Sequence, residues 1–212
     1  MIPASEALKL LREGNERFVA GFRSSSSRPS QRLRDKLVDG QNPFAIILGC
    51  SDSRVPAEMV FDQGLGDLFV IRVAGNVVAP SQVASVEFAA EAFETRLVVV
   101  LGHSQCGAVS TTIKELKLPL QRRSQNMQAI VGRIQPSVVS MMDVTDEQDY
   151  ELLLERSIRA NIRSSANHLR HGSPLLEELI QTNGLVVVGA EYSLETGAVE
   201  FFDGVPSSSL PV

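Results

Sequence analysis

The sequence is poor in several things that would otherwise steer its interpretation. It holds only 2 cysteines, too few for a disulfide scaffold. In a reducing compartment both would stay thiols. No run approaches the roughly 18–20 apolar residues needed to span a bilayer, so no membrane partner is expected. The N-terminal stretch, Met1 to Phe18, is charged and amphipathic. It lacks the basic start, apolar centre and small-residue cleavage site of a secretory signal. A cytoplasmic location is the expectation. Positive charge is not in excess either. The net charge of −5 argues against non-specific nucleic-acid binding. No internal repeat is visible.

What remains suits one soluble α/β domain, or at most two small ones: 212 residues, with hydrophobic content of 43% to build a core. A helix is expected to start at Pro3-Ala4-Ser5-Glu6, with Ala7, Leu10, Leu11 and Phe18 as its apolar stripe. Gly14 should weaken or kink it. The serine-rich stretch Arg23 to Ser30 reads as a loop, and Gln31 to Val38 as a short charged helix after Pro29. Residues 1–40 therefore form a helical arm, packed on a partner subunit or on the arm's own domain.

Strands alternate with helices through residues 41–205, the expected α/β domain. Gly40-Gln41-Asn42-Pro43 is a turn. Phe44 to Leu48 is continuously apolar, as in a parallel sheet covered on both faces. A short helix or turn over Val55 to Phe61 follows. Strands are expected at Leu68 to Val73, Leu97 to Leu101 and Leu185 to Tyr192, with a fifth, antiparallel edge strand at Val199 to Phe202. Ala74-Gly75-Asn76 breaks the second strand. Helices are expected at Pro80 to Phe93, Cys106 to Leu116 and Pro174 to Gln181. Lys117 to Arg123 is a loop. Ser124 to His171 is almost all helical, broken near Pro136 and near Asp143 to Asp149. Residues 206–212 form a tail. This alternation predicts a mostly parallel sheet flanked by helices.

The two cysteines stand in matching places. Gly49-Cys50-Ser51-Asp52-Ser53-Arg54 follows the first strand, and Gly102-His103-Ser104-Gln105-Cys106-Gly107 follows the third. If these strands are parallel neighbours, both loops reach one sheet edge. Cys50, His103 and Cys106 would then supply two thiolates and an imidazole, a ligand set that zinc favours. Asp52 could be a fourth ligand, or Arg54 could hold it aside and leave that position to water. Three plainer arrangements stay open: buried cysteines with a surface histidine, a Cys50–Cys106 disulfide, or a Cys/His nucleophile pair. His168 and His171 could be a second metal pair or cations at a helix C-terminus. A dinucleotide-binding reading fails because Gly64-Leu65-Gly66 lies before a strand rather than after one.

The pair of motifs, with its spacing, resembles the signature of the β-class carbonic anhydrases, and the likeness runs to the Gly189-Ala190-Glu191-Tyr192 strand. The resemblance implies strand order 2-1-3-4 with a fifth strand at the edge. It also implies Zn2+ at Cys50, His103 and Cys106, and a homo-oligomer, dimer or tetramer, embraced by N-terminal helices. Its activity is the reversible hydration of CO2 to bicarbonate and a proton by zinc-bound hydroxide. Two thiolates cancel the metal's formal charge, so activity should climb through mildly alkaline pH. Asp52 and Arg54 become the catalytic control pair: Asp52 orients the nucleophile while Arg54 holds it, and ligates zinc only in a closed state. Gln41, nine residues before Cys50, matches a glutamine that hydrogen-bonds substrate. Phe69 matches a pocket wall, and Gly107 lets substrate approach the backbone. Each also has a plainer reading: an exposed turn, simple core and an eased helix start. Some bacterial relatives bind regulatory bicarbonate through a tryptophan, an arginine and a tyrosine. Arg72 and Tyr192 match two of these, but Ile47 stands at the tryptophan position. Two other functions are compatible with the same residues: hydrolysis of carbonyl sulfide or carbon disulfide, and a non-catalytic closed zinc site.

Overall fold

The computed structural model describes residues 2–22, 24, 30–118, 125–146 and 149–206. Five strands form one sheet, in the order β2-β1-β3-β4-β5. They are β1 (Ala45–Gly49), β2 (Leu68–Arg72), β3 (Leu97–His103), β4 (Val186–Tyr192) and β5 (Val199–Asp203). β1 pairs in parallel with β2 and β3, and β3 with β4, while β5 runs antiparallel along β4. Topology and edge strand are as expected from the sequence. β3 runs two residues further than expected and takes in His103.

The central strands β1 and β3 are buried along their whole length because both faces are covered. Successive side chains point to opposite faces. Ile46, Leu48, Val98 and Val100 enter one core with α4 (Pro80–Ala92), α5 (Gly107–Leu116), α6 (Gln128–Met142), α7 (Tyr150–His171) and α8 (Pro174–Thr182). Ala45, Ile47, Leu97, Val99 and Leu101 enter the other, with α1 (Ala4–Val19) and α3 (Ala57–Val60). The short helix α2 (Gln31–Leu37) buries none of its residues; Ser30 caps it by accepting from the Leu33 amide.

Gly14, expected to weaken or kink its helix, and Pro136, expected to break its own, both lie inside continuous helices. α1 runs unbroken through Gly14, and this glycine serves packing instead. A Cβ there would lie 1.9 Å from the Phe61 carbonyl oxygen, so α1 reaches α3 only through a residue without a side chain. The buried amide of Asn15 fixes the same contact, donating to the Val60 and Gly197 carbonyls and accepting from the Val199 amide. The buried stripe of α1 is Ala4, Ala7, Leu8 and Leu11; Leu10, expected on it, is exposed. Pro136 lies inside α6 without ending it. The proline removes one helical hydrogen bond, and the buried Val131, Ile134 and Val138 on either side hold the helix together. Met127, expected on that core face, is exposed and precedes the helix. The serine-rich connector, the loop after α5 and the C-terminal tail fall largely outside the described residues.

Candidate metal centre

β1 and β3 are hydrogen-bonded neighbours that end side by side, with Gly49 opposite Leu101. The loops that follow meet at this carboxyl edge. The ligand atoms of Cys50, His103 and Cys106 all lie within 4.8 Å of one another, and all three residues are buried. Both cysteines are free thiols.

The surroundings explain the arrangement. His103 is held through Nδ1, 2.8 Å from the Ser104 carbonyl oxygen. That contact makes Nδ1 the protonated nitrogen and points the Nε2 lone pair inward. Nε2 is buried and has no hydrogen-bond partner. A buried nitrogen left without a proton partner, facing two sulfurs, is what a metal ligand looks like before its ion is counted. The Cys50 sulfur accepts from the Gly75 amide at 3.3 Å. Gly75 has φ 69° in the short 3-10 turn after β2, and Asn161 of α7 holds it by donating to its carbonyl at 2.8 Å. Arg72 clamps the same loop from the side, donating from Nε to the Cys50 carbonyl at 3.0 Å and from Nη2 to the Asp52 carbonyl at 2.5 Å.

Electrostatics favour anionic sulfur. The hydrogen bond from Cys106 holds the Cys50 thiol well below its ordinary value against burial, helped by His103 and by the backbone at Gly75 and Asp52. Cys106, as the proton-sharing partner, is pushed up. Burial pulls the His103 imidazole down, but the neighbouring Cys50 sulfur and its charge outweigh it and raise the value. Without a metal the cluster shares protons among three groups. A divalent ion would replace those protons, and the set of two thiolates and an imidazole suits a borderline-soft ion such as zinc.

Asp52 stands apart from the cluster. Its Oδ1 accepts from the Arg54 backbone amide at 3.0 Å and from Nε at 2.9 Å; Oδ2 accepts from Nη2 at 2.7 Å. This fork holds the Asp52 carboxyl far below the usual carboxylate range. Oδ2 is 3.8 Å from Nε2 of His103, so the carboxylate borders the centre while Arg54 takes one of the Oδ2 lone pairs and leaves the other free.

The other expected site residues are placed as follows. Gly107 opens α5 beside Cys106, and nothing lies within 4 Å of where its Cβ would be, so the space before it is open. Phe69 lies in β2 opposite Ile46, three residues short of Arg72, and packs with Phe88 and Phe93 at ring distances of 6.1 and 5.9 Å. Gln41 is exposed in an irregular segment before β1, just after the turn at residues 38–39 rather than inside one, and lies at the opposite sheet edge, where Pro43 and Phe44 bond to Thr95 and Asp67. β1 alone spans about 16 Å at 3.3 Å per residue, so Gln41 does not reach the Cys50 centre of its own chain. Arg72 is taken up by the two loop carbonyls, and Ile47 is fully buried. Tyr192 packs on Phe18 with ring centroids 6.4 Å apart. His168 and His171 sit with Arg170 in the last turn of α7, where cations are favoured.

Sequence reasoning did not identify Gly75, Asn161 or the Ser104 carbonyl as supports of the ligands. Asn161 had one readable signal: a polar residue on the apolar stripe between Ile158 and Ile162.

Three candidate ligands with a carboxylate held beside them would leave a fourth position of a tetrahedral ion open, which is the pattern of a metal enzyme rather than of a structural metal clamp. Comparison with known proteins specifies the kind. The carbonic anhydrase family model matches residues 45–199. A Mycobacterium tuberculosis protein named carbonic anhydrase 2 is 37% identical over 204 residues, covering 94% of this chain and 93% of that one. Among solved structures, the β-carbonic anhydrase CcaA superposes with a TM-score of 0.69 at 29% identity, covering 93% of this chain and 95% of that one. One of two tetrameric β-carbonic anhydrases from Sordaria macrospora superposes with a TM-score of 0.70 at 25% identity, covering 81% and 86%. The chain belongs to the β-carbonic anhydrase family and is an enzyme of that class.

Proposed function

We propose that this enzyme catalyses the reversible hydration of CO2 to bicarbonate and a proton, with zinc as its metal. The observation that carries the reading is the buried, unpartnered Nε2 of His103 facing the sulfurs of Cys50 and Cys106, with Asp52 drawn aside by Arg54. When bound, zinc supplies Lewis acidity that makes water nucleophilic near neutral pH. The chain's own groups do the rest. Asp52, held ionised by Arg54, accepts a hydrogen bond at Oδ2 from the attacking water and so aims its lone pair. The open space over Gly107 admits the linear substrate close to the backbone. Arg72 fixes the loop that carries both Cys50 and Asp52.

Gln41 and Phe69 belong to the substrate pocket in this reading, through a second subunit. Gln41 is exposed and far from its own centre. Phe69 lies on the edge strand β2, beside Phe88, which is 55% exposed. A homodimer that joins this edge to a partner's carboxyl edge brings both residues to the partner's metal, and pairing of dimers gives a tetramer. The arm of residues 1–40, whose helix α2 is unburied, adds to that contact. Two free thiols in the ligand set fit the reducing cytoplasm. No described helix is long and apolar enough to cross a membrane.

The test is stopped-flow CO2 hydration by purified protein with its metal counted by mass spectrometry. Acceleration well above buffer at one zinc per chain is the expected result. A fully zinc-loaded protein that leaves CO2 untouched but turns over carbonyl sulfide would replace the reading, and one inert to both would reduce the centre to a structural clamp.

A further inference from the structure

Arg96 stands at the foot of β3, at the sheet edge opposite the metal centre, and is only 7% exposed. Its Nη1 donates to the Ala90 carbonyl in the last turn of α4 at 2.7 Å, and less closely to the Thr95 carbonyl at 3.4 Å. Its Nε is buried and has no partner. None of the ion pairs among the described residues involves Arg96. A guanidinium keeps its charge at every accessible pH, so burial cannot be relieved by losing a proton, as it can for lysine. Buried charges in proteins are normally paired.

A small cavity of about 50 Å3 lies against Arg96, walled by Ile2, Phe44 and Phe93, with Asn42 and Glu94 also lining it. At roughly 10–15 Å3 for each water-sized occupant, it accepts about three or four heavy atoms. That is the size of formate or bicarbonate, and too small for a side chain of another protein to enter at length. Apolar walls strengthen the field of the one cation inside them. The free edge of a guanidinium matches two oxygens of a planar anion. Glu94, the only carboxylate in the lining, is exposed and makes no ion pair with Arg96.

We propose that Arg96 and this cavity form a binding site for a small planar monovalent oxyanion, separate from the metal centre. Bicarbonate is the ligand that the enzyme's own reaction would supply; that assignment, unlike the site itself, rests on the CO2-hydration reading.

The test uses the full, zinc-loaded chain. Crystals soaked separately in sodium formate and sodium bicarbonate should show a planar anion within about 2.7–3.2 Å of Arg96 Nε. In solution, formate should raise the melting temperature of the native protein along a saturating curve. The formate response at the metal centre persists in Arg96→Gln, whereas the part due to this site disappears. Arg96→Lys, which keeps the charge, should retain a weaker response. Formate without bicarbonate in the crystals would leave the oxyanion site standing and overturn the bicarbonate assignment. Water alone in the cavity, a carboxylate of a partner subunit there, or an unchanged formate response in Arg96→Gln would overturn the site. Hydration activity is measured on the same preparation. Its absence with formate bound at Arg96 would sink the functional reading and spare this one.

Discussion

In the proposed mechanism the Asp52–Arg54 ion pair sets the chemistry of the centre. Unheld, a carboxylate 3.8 Å from the ligand nitrogen of His103 would compete for the metal. Three hydrogen bonds from Arg54 keep it ionised and turned away. Arg54→Ala should therefore lower hydration about 10–100-fold, as loss of such an orienting partner typically does, with zinc content unchanged. X-ray absorption on the variant should show a protein oxygen joining the metal; an unaltered coordination sphere would contradict this. Cys106→Ser acts differently. It removes a thiolate and should lower bound zinc, counted by mass spectrometry, together with activity. Both cysteines, His103, Asp52 and Arg54 were legible in the sequence because each motif is contiguous and follows a recognisable strand. Asn161 was not, because it acts on the Gly75 carbonyl 86 positions away. Nothing local marks such a contact.

Glycine and proline illustrate how packing governs the elements. Local propensity says that Gly14 weakens α1 and that Pro136 ends α6. Neither residue interrupts its helix, because α1 needs the missing side chain to meet α3 and α6 is pinned by buried residues on both sides of the proline. Gly14→Ala, a substitution that would help an isolated helix, should instead cost about 1–3 kcal/mol through overpacking. At about 2–4 °C per kcal/mol for a chain of this size, calorimetry should register a melting temperature several degrees lower. A second element-level effect joins α7 to β4 and β5, where Arg159 bonds Glu191 and Glu200. Burial raises the Glu191 carboxyl above its ordinary 4.5, against the pull of Arg159. A raised acid favours the fold below its unfolded value and loses that contribution as pH rises through the folded one. Wild type should thus gain stability relative to Glu191→Gln as pH falls from neutrality toward 4.5. Denaturant midpoints of both proteins across that range check the sign.

For the whole molecule, the position of Gln41 has the largest consequence. A residue at the amino edge of the sheet can serve catalysis only in another subunit's site. Mixed dimers provide the test. Gln41→Ala and Cys50→Ser should each be weak alone, but a mixed dimer holds one site with intact ligands and a glutamine supplied by the other chain. With random exchange, about a quarter of the native sites are restored in a twofold-symmetric assembly. Mixing without recovery would return Gln41 to a plain surface residue. The alternation of strands and helices, the sheet class and the candidate metal ligands are readable from the chain alone, because apolar runs and short motifs are local properties. It takes the folded chain to show which face of α1 is buried, that Arg54 rather than the cluster holds Asp52, and that Gln41 and Cys50, nine residues apart, lie at opposite sheet edges. Those are relations across space, and an extended strand carries neighbours in sequence away from each other as surely as strand pairing brings Cys50 and His103 together.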